Sequence, residues 1–279
     1  MFTTHFVTND PISEEVLNTG LQTAYHETGT GDTFVLVHGF TGSKLDFQDQ
    51  LSWFAHGHRA IAYDQRGHGE SSNLGPYTLY GLAADLIGFL DALEIERCHI
   101  LGHSLGGMVV IRALIAHPER FASAVLMDTA ATTVSLFDPE ILEHLNNVVL
   151  EQGCAALMNG MRGQPQGAAV QRGIDYLGEQ EHWRRIRVKL EQMDPQAFVE
   201  LGEALGTQPS VLTNLAKVTA PTTVLVGAED KPFLKPSREM AAALPNSQLA
   251  VIEDAGHSPQ YENADAWRAV IEAHLAWAG

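Results

Sequence analysis

Cys98-His99-Ile100-Leu101-Gly102-His103-Ser104-Leu105-Gly106-Gly107-Met108-Val109-Val110 is the stretch on which the fold turns. A short apolar run, Ile100 and Leu101, meets two glycines that flank a serine. It then passes into an Ala, Leu, Ile and Val-rich segment ending at His117-Pro118. The pattern predicts strand, sharp turn, helix. Gly102-x-Ser104-x-Gly106 has the spacing of a nucleophile elbow, in which a strained serine backbone lifts the hydroxyl clear of the sheet. The glycines fit because strand and helix approach too closely there for a Cβ. A serine in a Gly-rich turn opening a helix would look the same, so the surroundings have to decide.

Outward from this stretch, Phe34-Val35-Leu36-Val37 and Ala60-Ile61-Ala62-Tyr63 are apolar runs of strand length. The first ends in His38-Gly39-Phe40-Thr41-Gly42-Ser43 and the second in Asp64-Gln65-Arg66-Gly67-His68-Gly69-Glu70-Ser71-Ser72. Between them Leu45 to Ala55 has helical spacing, and Thr78 is placed to cap a helix through Leu93. Ser123 to Met127 is a further strand, ending at Asp128, and Leu21 to Glu27 reads as an edge strand. Helical periodicity without a strand run marks residues 132–215, with a Gly, Gln and Ala-rich, flexible middle from Gly160 to Gly173. Sheet rhythm resumes at Pro221 to Val226, followed by Gly227-Ala228-Glu229-Asp230 and a helix from Ser237 to Leu244. Gln248 to Ile252 is the last strand, Glu253 to His257 its exit loop, and Ala266 to Trp277 a closing helix. Strands alternating with long helices imply a mostly parallel sheet covered on both faces. Ligands bind beyond the carboxyl ends of such strands. The expected division is a core of residues 1–131 and 216–279, interrupted by a helical lid at 132–215.

The 279 residues, 45% hydrophobic, suffice for a full core. The net charge of −17 disfavours nucleic acid and anionic membrane as partners. Cys98 and Cys154 lie outside any metal or redox spacing, and both are expected reduced. The first twenty residues carry Asp10, Glu14 and Glu15 and no signal-like apolar run, and nowhere do 18 apolar residues follow one another, so the expected location is cytoplasmic. His56-x-His58 lacks a third ligand at useful spacing, and no metal site is expected.

A serine hydroxyl becomes a nucleophile when a base takes its proton, and the base needs an acid to fix its tautomer. Strand ends supply these in the order Ser104, Asp230, His257. Asp128, on the strand after the elbow, is the competing acid, with Glu229 and Asp254 behind it. The oxyanion formed at a carbonyl needs preorganised N–H donors. The backbone N–H groups of Leu105 and Phe40 are the candidates, while His38 and His103 take structural or lining roles.

Five segments, His38-Gly39-Phe40, Asp64 to Ser71, Gly102 to Gly106, Gly227 to Asp230 and Gly256-His257, occur in this order. Together they resemble the α/β-hydrolase-fold serine hydrolases. The resemblance spans residues 34 to 277. It implies an eight-stranded, mostly parallel sheet with helices on both faces, a helical lid, and acyl transfer to water through a Ser104 acyl-enzyme with no cofactor. The Asp64 to Ser71 turn is structural in that family. The expected activity is hydrolysis of small to medium carboxylic esters or lactones by a monomer or homodimer. Carbon–carbon bond hydrolysis, perhydrolysis, and amide or thioester cleavage are alternatives on the same triad, and a non-catalytic ligand-binding protein is the remaining one. Leu136, Phe137, Leu142, Leu145, Met158 and Met161, with Leu157, are the expected substrate-pocket residues of the lid.

Overall fold

Phe34-Val35-Leu36-Val37 is apolar at every position because both of its faces are covered. Phe34 and Leu36 pack on one side with Phe47, Leu51, Phe54, Trp267 and Ile271. Val35 and Val37 pack on the other with Leu86, Met108, Val109 and Phe233. All of these side chains are buried. Each contributes on the order of 2 kcal/mol from removal of its surface from water, and a run buried on both faces shows no polar alternation.

The computed structural model describes residues 2–9, 20–134, 138–162 and 164–279. Among them, eight strands form one sheet. They are β1 (His5–Asn9), β2 (Leu21–Thr28), β3 (Asp32–Val37), β4 (His58–Tyr63), β5 (Cys98–His103), β6 (Phe121–Met127), β7 (Thr222–Gly227) and β8 (Ser247–Ile252). Their order across the sheet is β1-β2-β4-β3-β5-β6-β7-β8. The pairings from β4 through β8 are parallel, and β1 and β2 are added antiparallel at one edge. α1 (Gln48–Phe54) and α11 (Ala264–Ala278) cover one face, and α2 (Leu79–Ala92), α3 (Leu105–Ala116) and α9 (Lys231–Ala243) the other. The chain runs outward in both directions from the junction of β3 and β5, so the loops that follow these two strands meet at a topological switch point.

Between β6 and β7 the described residues are helical: α4 (Pro139–Gln152), α5 (Met158–Arg162), α6 (Ala168–Leu177), α7 (Glu179–Glu191) and α8 (Pro195–Thr207). Two of these starts are written in the chain as Asp-Pro. Asp138 and Asp194 accept from the N–H groups of Glu140 and Gln196, at 3.0 Å each, with proline in the first turn. The segment is stitched to the core by charge. Arg185 reaches Asp49 at 2.5 Å, and Lys189 reaches Asp46 at 2.6 Å. Arg112 of α3 donates to Gln208 at 2.9 Å, and Tyr77 donates to Asp194.

Among the described residues the Gly160 to Gly173 stretch holds the end of α5 and the first half of α6, where Ala168, Ala169 and Val170 support a helix after Gly167. One expectation differs from the structure. The helix after β7 begins at Lys231 rather than Ser237. Asp230 stands at its N-cap position and Pro232 in its first turn, and the helix continues through Pro236.

Candidate active site

The elbow is strained as its spacing required. Ser104 has φ 53° and ψ −121°, a backbone conformation that costs a non-glycine residue on the order of 1–3 kcal/mol. It is held on both sides, because its N–H donates to the Met127 carbonyl at 2.9 Å and its carbonyl accepts from Thr129 Oγ1 at 2.6 Å. A Cβ on Gly106 would stand 2.3 Å from the His38 carbonyl oxygen, and one on Gly102 would stand 2.7 Å from the Gly106 oxygen. The glycines at either side of the serine are thus demanded by the closeness of β3, β5 and α3.

His257 leaves β8 on a loop fixed at both of its peptide neighbours. The Gly256 N–H donates to Glu262 Oε2 at 2.5 Å, and the His257 carbonyl accepts from His103 Nε2 at 2.6 Å. The ring stacks on Phe233, with centroids 5.0 Å apart, and its Nδ1 lies 2.7 Å from Asp230 Oδ2. Asp230 is buried and its own N–H donates to the Gly227 carbonyl. Ser104 and His257 line one cavity of about 280 Å³, and among the described residues no hydrogen bond yet joins the hydroxyl to the ring.

The loop after β3 lies against the elbow. A Cβ on Gly39 would be 3.0 Å from Ser104 Cβ, and Phe40 lines the same cavity. His38 anchors this loop from below, with Nδ1 donating to the Gly39 carbonyl at 2.8 Å and Nε2 accepting from the Gln65 N–H at 3.0 Å. Burial pushes His38 down to about 4 and His103 to about 3, so both rings are neutral and act as fixed hydrogen-bond partners. Leu105 is the first residue of α3, so its N–H has no acceptor within the helix and sits at the positive end of the dipole.

Asp128, at the end of β6, is buried with φ 47°, and its Oδ1 accepts from the Gly227 N–H at 2.9 Å. It does not touch His257 as the primary acid; it abuts Asp230. Ligand atoms of Asp128, Asp230 and His257 lie within 4.8 Å of one another, a spacing that a cation could share. Nδ1 of His257 is already paired with Asp230 at 2.7 Å.

The expected pocket residues divide. Met161 lines the cavity. Leu145 and Met158 pack on the core beside buried Val149, Cys154 and Leu157, and Leu142 lies 3.5 Å from where a Gly202 Cβ would stand; none of these lines the cavity. α4 turns Val149 into the core and packs Leu142 near α8, while Ile141 and Leu150 stay exposed. Leu136 and Phe137 lie outside the described residues. The walls come instead from α6 and α7, through Val170, Leu177, Ile186 and Leu190, with Phe40 opposite. Glu262 and the Arg185 and Lys189 pairs also escaped the sequence reading. Their only signal was charge on an amphipathic helix, which ordinarily marks a solvated face.

Residues 34–270 match the alpha/beta hydrolase family, and the chain belongs to it. It is 29% identical over 267 residues to a 2-hydroxy-6-oxononadienedioate/2-hydroxy-6-oxononatrienedioate hydrolase of Cupriavidus pinatubonensis, covering 88% of each chain. A thermophilic esterase from Thermogutta terrifontis superposes with a TM-score of 0.82 at 26% identity, covering 99% of both chains. The enol-lactonase of Burkholderia xenovorans LB400, at 24% identity and a TM-score of 0.78, covers 92% of this chain and 97% of its own and shares the fold. Among the described residues no helix is long and apolar enough to cross a membrane.

Proposed function

We propose that this hydrolase cleaves carboxylic esters of small to medium acyl groups, lactones included, through an acyl-enzyme on Ser104. The observation that carries the reading is the 2.7 Å pair of His257 and Asp230, which faces the same cavity as a serine on a strained elbow. His257 Nε2 takes the Ser104 proton as Oγ attacks the carbonyl carbon, and the imidazolium so formed is held by Asp230. The N–H groups of Phe40 and Leu105 receive the oxyanion, a contribution of a few kcal/mol for each donor. The imidazolium then protonates the leaving alkoxide, and water repeats the sequence in reverse to release the acid.

The size and lining of the cavity support the substrate class. At about 280 Å³ it lies at the small end of ligand pockets and has chiefly apolar walls. Its two permanent cations are already neutralised, Arg185 by Asp49 and Glu181 and Lys189 by Asp46. A dioate, such as the substrate in the name of the Cupriavidus relative, would find no unpaired cation among the described lining residues. A neutral ester loses nothing there.

Wild type and Ser104→Ala compared on nitrophenyl esters from acetate to palmitate test the reading. Turnover that peaks at short or medium chains and vanishes in the variant is expected. A variant that keeps more than a few per cent of activity sinks the serine assignment. A fluorophosphonate that labels Ser104 in a chain turning over no ester moves the carbon–carbon and amide chemistries forward.

A further inference from the structure

Beneath the Asp230–His257 pair lies an acid that the reaction as drawn does not use. The Asp128 side chain is fully buried. Its Oδ1 takes the Gly227 N–H at 2.9 Å, and its Oδ2, also buried, has no N–H or O–H donor from any other described residue. Its carboxyl group lies beside that of Asp230, with one oxygen of each within 4.8 Å of the other. The other titratable groups facing it are Glu262 on α10 (Pro259–Glu262), itself raised by burial, and His257 on the β8 loop. Among the described residues no lysine or arginine pairs with Asp128.

Two buried carboxyl groups this close, away from water, hold one proton between them, since like charges side by side without a cation cannot both persist. Asp230 has the better claim to the charge. It accepts from His257 Nδ1, and the reaction builds a cation on that ring. Asp128 is the deeper of the two, with a single peptide N–H for support, and burial and the neighbouring carboxylate both favour its neutral form.

We propose that Asp128 is a neutral carboxylic acid whose Oδ2–H donates to the Asp230 carboxylate, making it the positioning residue that holds Asp230 ionised and aimed at His257. The left-handed backbone at Asp128 directs the side chain across the end of β7, and the Gly227 peptide clamps the other oxygen. The donated hydrogen bond fixes the Asp230 carboxylate toward the ring, so His257 keeps its Nδ1 proton while Nε2 takes and returns the other. The positioning role rests on the Ser104, His257 and Asp230 reading above; the protonation of Asp128 does not.

Asp128→Asn and Asp128→Ala, compared with wild type from pH 5 to 9, test it. An amide keeps both features, an oxygen for Gly227 and an N–H for Asp230. Asp128→Asn should therefore hold kcat within about 3-fold of wild type, with the acid limb of the profile unmoved. Asp128→Ala should lower kcat by roughly 10–100-fold, as loss of a charge-assisted hydrogen bond allows, with KM little changed. If Asp128 is ionised instead, Asp128→Asn removes a negative charge beside the pair and the acid limb moves to lower pH by about a unit or more, which overturns the proposal. Equal damage by Asn and Ala, or none by either, overturns it too, as does activity that needs a divalent cation and is lost to a chelator. Infrared difference spectra between wild type and Asp128→Asn at neutral pH give a reading free of substrate. Loss of a neutral carboxylic C=O band is expected, and loss of carboxylate bands refutes the assignment even if Asp128→Ala fails to fold. A missing ester activity with the C=O band present would instead count against the ester reading alone.

Discussion

Asp64 and Asp128 are both fully buried acids placed directly after a parallel strand, and their surroundings have opposite logic. Asp64, after β4, accepts from the Lys44 N–H at 2.7 Å, from Lys44 Nζ at 2.5 Å and from the Glu70 N–H at 2.9 Å. Its charge is met by a buried cation and two peptide donors, and the turn from Asp64 to Ser71 is locked. Asp128, after β6, has one peptide donor and another carboxyl group. Position at a strand end therefore sets where an acid points, while the partners that other loops deliver decide whether it carries charge. The saturated acid holds a turn of the scaffold, and the under-supplied one lies against the Asp230–His257 pair.

The comparison breaks most sharply at the acid that lies between the two cases. Asp230→Asn keeps the size of the side chain but presents the wrong hydrogen-bond partner to His257. It should lower kcat on nitrophenyl esters by about 10⁴ with the unfolding midpoint little changed, and near-normal turnover would hand the role of acid to Asp128. The next largest effect belongs to the scaffold acid. Asp64→Ala leaves Lys44 buried with only Glu70 as its counter-ion and should cost about 3–5 kcal/mol in urea unfolding, while turnover per folded molecule stays close to wild type. A loss of turnover in molecules that remain folded would extend the working part of the protein into this turn.

The smallest effect, spread over the molecule, is the dependence of stability on pH. Burial holds His26, His38 and His274 down to about 4 and His68 and His103 to about 3. Below about pH 6.5 the unfolded chain takes up protons that the fold refuses, so their stabilisation is present above that value and is lost as pH falls toward the folded values. Asp85, pushed up to about 6 by burial, and Asp128 and Glu262, also raised, act in the opposite sense and favour the fold as pH falls. Five histidines outweigh three acids, and the urea midpoint should drop between pH 7 and 5. A midpoint that rises on acidification would mean that the buried carboxyls dominate.

The apolar runs of β3 to β7 were legible because a strand buried on both faces has no polar positions to blur it. Ser104, Asp230 and His257 could be nominated because each follows such a run, and a strand end fixes where a loop begins. Leu142, Leu145 and Met158 could not be assigned in the same way. Their periodicity gives one apolar face to each helix without telling whether that face meets another helix or an empty cavity, and here α8 and the core took it. Arg185 and Lys189 look like solvent-facing charge until α7 is laid against Asp49 and Asp46, more than a hundred positions away in the chain.

By itself the sequence determined the strand and helix succession, the strained serine, and the loops that carry Phe40, Asp230 and His257, because these depend on local sterics and short-range hydrophobic pattern. Only the tertiary structure decided which residues of the helical segment between β6 and β7 wall the cavity, which cations are neutralised, and that Asp128 rests against Asp230. Those are contacts between segments distant in sequence, and the free energy of a buried charge depends on what surrounds it in space.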